Sequence, residues 1–196
     1  MVEVPTLHTY TLRLEPLRER HLDDLWLIYE ETRPELLPYM FWAHTQTKPE
    51  HALDFIRNTE RARDERREQV FIVFADDVPL GSVGLHNLGS IHRSTEMGFW
   101  VRTSYAGRGI CTAAAARMLR YAFNDLRLHR VFIRHSVENE SSRAVIQKLG
   151  FRSEGTARDD LWIGDRFASH KTYGMLVTDF LLLRDKLRPL ENSSRM

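Results

Sequence analysis

Residues 94–112 read Ser-Thr-Glu-Met-Gly-Phe-Trp-Val-Arg-Thr-Ser-Tyr-Ala-Gly-Arg-Gly-Ile-Cys-Thr, and they decide the fold. An apolar run from Met97 to Val101 predicts a strand. A short loop follows and closes on Gly107-Arg108-Gly109. An alanine-rich helix, Ile110 to Phe123, is predicted to begin at once. The first turn of a helix carries unpaired N–H groups and a partial positive charge, and glycine lets a bound group approach the backbone closely. A strand, a glycine loop and a helix N-terminus in succession therefore predict a grip on a phosphate-bearing ligand.

The flanking sequence supplies the rest of the framework. Upstream, Thr9 to Leu17 alternates as a strand does, and His21 to Glu31 places Leu22, Leu25, Trp26 and Tyr29 at helical spacing. Pro34 and Pro38 predict a break, followed by an aromatic loop at Tyr39, Met40, Phe41 and Trp42. Pro49 opens a second helix that ends in the charge-rich Arg61 to Arg67, read as a solvated face. Val70 to Phe74 and Leu80 to Leu85 read as a hairpin about an Asp76-Asp77-Val78-Pro79 turn, with Glu96 to Val101 as the third strand of a meander. Downstream come a strand at His129–Val137 and a short helix at Ser141–Lys148 ended by Gly150. Leu161–Ile163 and Thr172–Val177 form a final hairpin about Gly164-Asp165, and Asp179–Arg188 reads as a helix. The order predicts an α+β fold with a mixed sheet, in which the strands around 96–101 and 129–137 are joined by a parallel, right-handed crossover.

The composition sets the outer limits. A chain of 196 residues predicts a single domain, with a core over about 8–178 and a helix and tail over 179–196. A net charge of +1 gives no electrostatic footprint for a nucleic-acid partner. Met175 to Leu183 is too short for a membrane span and carries Asp179. The lone cysteine, Cys111, fits a reducing compartment, and Met-Val-Glu-Val-Pro lacks the pattern of a signal peptide. A cytoplasmic location, with no metal and no membrane partner, is the expectation.

Three phosphate grips compete for the glycine loop. A P-loop requires Gly-Lys-Ser/Thr, which the chain lacks. Gly107-x-Gly109-x-x-Thr112 imitates the dinucleotide fingerprint, but Arg102 to Ala106 separate it from its strand, and the nearest strand-end acid, Glu138, lies too far along. The third is a resemblance. Glu96-Met-Gly-Phe-Trp-Val with Tyr105-Ala-Gly-Arg-Gly-Ile-Cys-Thr resembles the acetyl-CoA motif of the Gcn5-related N-acetyltransferases (GNAT). Asn139-x-x-Ser142, Lys148-Leu-Gly-Phe and Glu154-Gly are similar to its RimJ/RimL branch, which acetylates protein N-terminal amines. Leu36-Leu-Pro-Tyr-Met-Phe-Trp followed by Thr47-x-x-x-x-Ala52 extends the likeness, which covers roughly residues 8–178. It implies a sheet whose two central parallel strands splay apart around the pantetheine arm of acetyl-CoA. One position departs from the pattern: the loop usually begins with Gln or Arg three residues before its first glycine, and here Ser104 stands there. That loses a polar anchor but leaves the backbone amides, so binding is expected to survive.

The resemblance assigns roles residue by residue. Backbone groups of Trp100 and Val101 would pair with the pantetheine arm, and amides of Gly107, Arg108, Gly109, Ile110, Cys111 and Thr112 would face the diphosphate. Asn139 would touch the cofactor, and the Ser142 hydroxyl would lie near the sulfur as proton donor, because the tyrosine that many members carry on this helix is Ile146 here. Both residues also suit helix capping. Candidates for the base are Glu96, His135, Asp160 or a water. Apart from the resemblance, the aromatics Tyr39, Phe41, Trp42 and Trp162 are either core or acceptor-site lining, and Trp42 and Trp162 are the expected lining residues. A helix N-terminus lowers a thiol pKa, but no base is placed to activate Cys111 as a nucleophile.

The expected function is direct acetyl transfer from acetyl-CoA to an amine, foremost a protein N-terminal α-amine. The rivals are a small amine-bearing metabolite or antibiotic as acceptor, a non-catalytic acyl-CoA sensor, and a nucleotide-dependent oxidoreductase. Family members often pair, so a homodimer is also an expectation.

Overall fold

A computed structural model describes residues 12–190. Seven strands form one sheet in the order β1-β2-β3-β4-β5-β7-β6. Strand β1 (Leu12–Pro16) is followed by α1 (Leu22–Leu36), the single turn α2 (Trp42–Thr45) and α3 (Pro49–Asp64). The meander β2 (Gln69–Ala75), β3 (Val78–His86) and β4 (Ser94–Val101) leads through the glycine loop to α4 (Ile110–Arg120). Then come β5 (Arg130–Ser136), α5 (Glu140–Leu149), the long hairpin β6 (Arg152–Ile163) and β7 (Arg166–Leu176), and α6 (Val177–Leu190). Neighbouring strands are antiparallel throughout, except β4 and β5, which are parallel. This is the expected mixed sheet, with the parallel pair where the crossover was expected.

Alternation along the strands divides the core between two faces. Val83, Leu85, Met97, Val131 and Ile133 pack against the buried alanines Ala113–Ala116 of α4 and against Ile146 and Leu149 of α5. Alanine at four successive positions lets the helix press closely onto the sheet. On the opposite face Val70, Ile72 and Phe74 meet Leu25, Ile28 and Ile56 of α1 and α3. Among the described residues no helix is long and apolar enough to cross a membrane.

Several element boundaries differ from the sequence reading. Thr9 to Thr11 lie outside the described residues. Pro34 does not break α1, which runs on to Leu36. Near a helix end the proline forfeits only one bond, to the carbonyl of exposed Glu30. The β2–β3 turn is confined to Asp76-Asp77, with Asp76 at φ +51°. Pro79 belongs to β3, next to a register shift that pairs Phe74 with Pro79 and Val73 with Gly81, so its missing N–H breaks no regular ladder. The predicted helix to Phe123 is α-helical only to Arg120 and finishes in a π turn over Tyr121–Asp125. Arg152–Asp160 was not read as a strand. On the sheet edge both its faces are exposed, so burial imposes no alternation on its sequence.

Candidate active site

The site begins where β4 and β5 part. They pair at Ser94–Arg130, Thr95–Val131 and Glu96–Phe132 and no further. Beyond that point β4 stays joined to β3 as far as Val101, and β5 to β7 as far as Ser136. Each therefore turns an unpaired edge of peptide groups into a wedge, and such groups demand partners. Trp100 and Val101 lie on the unpaired edge of β4.

At the end of β4 the glycine loop is shaped for an anion. Gly107 and Gly109 adopt φ +76° and +81°, a region open to glycine. A Cβ built on Gly107 would meet no atom within 4 Å, so the loop is open at that point. Gly109 is the N-cap of α4 and contributes no side-chain cap. The first intrahelical acceptor used is its carbonyl, which takes the Ala113 N–H at 2.9 Å. The N–H groups of Ile110, Cys111 and Thr112 are left as the free donors of the first turn. The exposed Arg108 guanidinium lies 5.0 Å from the Tyr105 ring centroid, within the same loop.

The loop is anchored at Ser104 from another element. Glu31 of α1 accepts the Ser104 N–H through Oε1 at 2.9 Å and pairs with Arg102 Nε through Oε2 at 2.5 Å. Thr32 Oγ1 accepts the Thr103 N–H at 3.3 Å. Burial raises the Glu31 pKa, but hydrogen bonds from Ser104 and the Arg102 charge outweigh it, and the net shift is downward. The anchor is thus complete above the ordinary carboxylate value of about 4.3, and is lost only as pH falls through the lowered one. Glu31→Ala is expected to raise the KM for acetyl-CoA about tenfold with kcat little changed, as loss of charged hydrogen bonds predicts; steady-state kinetics at pH 7 checks it.

Cys111 corrects the sequence reading. It lies at the helix N-terminus, yet desolvation prevails and pushes its thiol up to about 12. A thiol held protonated is no nucleophile at neutral pH.

Helix α5 closes the other side of the wedge. Asn139 is its N-cap, and Oδ1 accepts the Ser142 N–H at 2.9 Å. The Ser142 hydroxyl has no hydrogen-bond partner among the described residues. Ile146, where a tyrosine would have competed for the proton-donor role, is fully buried in the core.

Around the wedge lies a cleft of about 580 Å³. Tyr39, Met40, Phe41, Trp42 and Phe55 form one wall, Trp100 and the facing pair Gly84 and Gly98 lie along β3 and β4, and Ser136, Asn139, Ser142, Asp160, Leu161 and His170 line the other side. Trp42 is in this wall, its ring centroid 5.7 Å from that of Tyr29. Trp162 is a correction. It is 52% exposed against Phe167, and Leu161 lines the cleft instead. Successive strand residues point to opposite faces, so Leu161 and Trp162 do not face the cleft together.

Three carboxylates line the cleft, and each has a basic partner. Glu96 takes Arg134 Nε at 3.0 Å and Nη2 at 3.3 Å, one on each oxygen, spanning the point where the strands part. Glu68 lies 3.4 Å from His86 Nδ1, and Asp160 lies 2.7 Å from His170 Nδ1. His135 is 5% exposed with neither ring nitrogen in hydrogen-bonding geometry. Burial pushes its pKa down, aided by the nearby positive charge of Lys171. Of the sequence candidates, the structure thus gathers Glu96, Trp100, His135, Asn139, Ser142 and Trp42 around one cleft. Glu31, Arg134 and His170 escaped the sequence reading, since each works through a partner distant in the chain.

With this geometry in place, comparison with known proteins is direct. The family model for the Acetyltransferase (GNAT) domain matches residues 11–152. YdaF of Bacillus subtilis (strain 168), named for ribosomal N-acetyltransferase activity, is 42% identical over 100 residues, 51% of this chain and 55% of YdaF. This chain therefore matches about half the length of that relative. Spermidine N(1)-acetyltransferase of Escherichia coli (strain K12) is 29% identical over 127 residues, 58% of this chain and 68% of the relative. The solved structure of RimL, the ribosomal L7/L12 alpha-N-protein acetyltransferase in complex with coenzyme A, superposes with a TM-score of 0.83 over 86% of this chain and 96% of that one, at 18% identity, which shows the shared fold. Splayed strands, an anion-ready glycine loop and a family match over most of the length agree: this chain belongs to the GNAT acetyltransferases.

Proposed function

We propose that the protein transfers acetyl from acetyl-CoA directly to a primary amine, and that the acceptor is a protein N-terminal α-amine. The observation that carries the choice of acceptor is the largely aromatic and aliphatic wall of the cleft, in which the Glu96 charge is neutralised by Arg134. A polyamine brings several positive charges and needs unpaired acids to receive them. Glu96 is held on both oxygens by Arg134, Glu68 and Asp160 each meet a histidine, and most of the remaining wall is aromatic or aliphatic. Such a cleft suits a single amine on a short peptide. An α-amino group, with pKa about 7.7–8.0, is roughly one-quarter neutral near neutral to slightly alkaline pH, against about 0.1% for a lysine-type amine. It therefore asks little of the base.

Bound acetyl-CoA supplies an activated acyl carbonyl, and the chain's own groups do the rest. Unpaired N–H groups on the β4 edge stabilise charge developing on the carbonyl oxygen. Trp42 and its aromatic neighbours exclude water from the amine. Ser142 delivers a proton to the departing sulfur. Cys111, held protonated, takes no acetyl group.

Thiol release from acetyl-CoA tests this reading. A serine-starting peptide is expected to exceed spermidine in kcat/KM by at least about tenfold, the effect of roughly 1.4 kcal/mol. Preference for spermidine or an aminoglycoside would reassign the acceptor, and tight acetyl-CoA binding without turnover on any amine would mark a sensor.

A further inference from the structure

Resting on that reading, we propose that His170, held by Asp160, takes the proton from the acceptor amine. Strand β6 departs from regular pairing with β7 between Ala157 and Leu161. Such irregularities re-aim side chains. Asp159 sits there at φ +48°, and the turn is pinned by the Asp159 N–H donating to Ser169 Oγ at 3.0 Å, with that hydroxyl donating back to Asp159 Oδ1 at 3.2 Å. Asp160 thereby meets His170 across the hairpin, Oδ1 to Nδ1 at 2.7 Å, and both line the cleft. His170 is only 7% exposed.

A short contact to a carboxylate makes Nδ1 the N–H end of the ring and leaves Nε2 with the lone pair. Nε2 has no protein partner among the described residues. The carboxylate also stabilises the imidazolium once it forms, the arrangement expected of an oriented base. The alternatives in the cleft are worse placed. Both Glu96 oxygens are engaged by Arg134, His86 holds its carboxylate at the longer 3.4 Å, and His135 has no carboxylate to orient its ring or to stabilise its imidazolium. Around the dyad, β5 presents Ser136 opposite His170 and Arg134 opposite Thr172, with His135 opposite Lys171.

The step balances. The ammonium gives one proton to Nε2 of His170. The freed lone pair forms the C–N bond to the acetyl carbon, and the C–S bond breaks. The Ser142 hydroxyl proton goes to sulfur, and the remaining extra proton on the new amide nitrogen returns to Ser142 Oγ through water. His170 then releases its proton to solvent. The products are the amide, free thiol and one proton.

The test compares His170→Ala, Asp160→Asn, Asp160→Glu and Glu96→Gln in full-length protein. The readouts are kcat and KM with the serine-starting peptide and, in parallel, acetyl-CoA affinity by calorimetry. His170→Ala is expected to lower kcat about tenfold or more at pH 7, the loss expected when a mostly protonated α-amine must shed its proton unaided. Acetyl-CoA affinity stays within about threefold, and added imidazole restores part of the rate. Asp160→Asn is expected to cost about tenfold in kcat at near-constant KM, and Asp160→Glu to recover most of it. An unchanged kcat in His170→Ala overturns the proposal. So does a loss that falls equally on acetyl-CoA affinity and is not rescued by imidazole, or a loss confined to Glu96→Gln. Wild-type protein that binds acetyl-CoA and acetylates no amine would overturn the functional reading itself, and with it this proposal, before any variant is compared.

Discussion

Replacing Ser142 by alanine is expected to lower kcat about 10²-fold or more, the usual worth of a positioned proton donor, while leaving acetyl-CoA affinity unchanged. The separation of the two effects comes from the local geometry. The capping bond of α5 runs from the Ser142 N–H to Asn139 Oδ1 and does not involve the side chain. Alanine keeps that bond and is a good helix former, so α5 and its buried Ile146 and Leu149 stay in place. What disappears is a hydroxyl with no partner among the described residues, at the edge of the cleft. Presteady-state acetyl transfer with calorimetric binding of acetyl-CoA checks both halves. Unchanged turnover on the true acceptor would reduce Ser142 to a helix-start residue.

The second large effect is expected far from any polar group. Gly81 of β3 lies opposite Val101 of β4. A Cβ there would overlap the carbonyl oxygen of Trp100 and sit 2.9 Å from Val101 Cα. Both are backbone atoms and cannot swing aside, so β4 must move at the stretch that bounds the wedge. Gly81→Ala is expected to cost roughly 1–3 kcal/mol of stability, as overpacking does, or about 2–12 °C in melting temperature for a chain of this size. It is also expected to raise the KM for acetyl-CoA sharply. Gly98→Ala is the control for stability, because a Cβ on Gly98 comes no nearer than 3.7 Å to His86. A thermal melt distinguishes the two, and equal loss in both variants would refute close backbone approach as the cause.

These two cases show unequal legibility. Ser142 was marked by its place in Asn139-x-x-Ser142, and Asn139 proved to cap the helix it opens. Nothing near Gly81 in the sequence announces the carbonyl of Trp100. The same contrast runs through the site. The Gly107-Arg108-Gly109 loop was readable because its donors come from consecutive residues. The contact that ties the loop down was not, because Glu31 reaches Ser104 from α1. Trp162 stood out in the sequence as an aromatic, but whether it or Leu161 faces the cleft depends on the irregular pairing after Ala157, which only the sheet sets. Cys111 was misjudged in the direction of its pKa, since the helix end is visible in sequence and the burial that overrides it is not.

The sequence by itself determined the donor half of this protein: a strand, a glycine loop and the first turn of α4, whose grip on an anion needs only local backbone geometry. Tertiary structure alone decided the acceptor half. The cleft owes its electrostatics to Glu96 with Arg134, Glu68 with His86 and Asp160 with His170, pairs joined across strands and hairpins. Whether a carboxylate in such a place is free or partnered depends on register and on bulges, which the packing of the whole sheet sets.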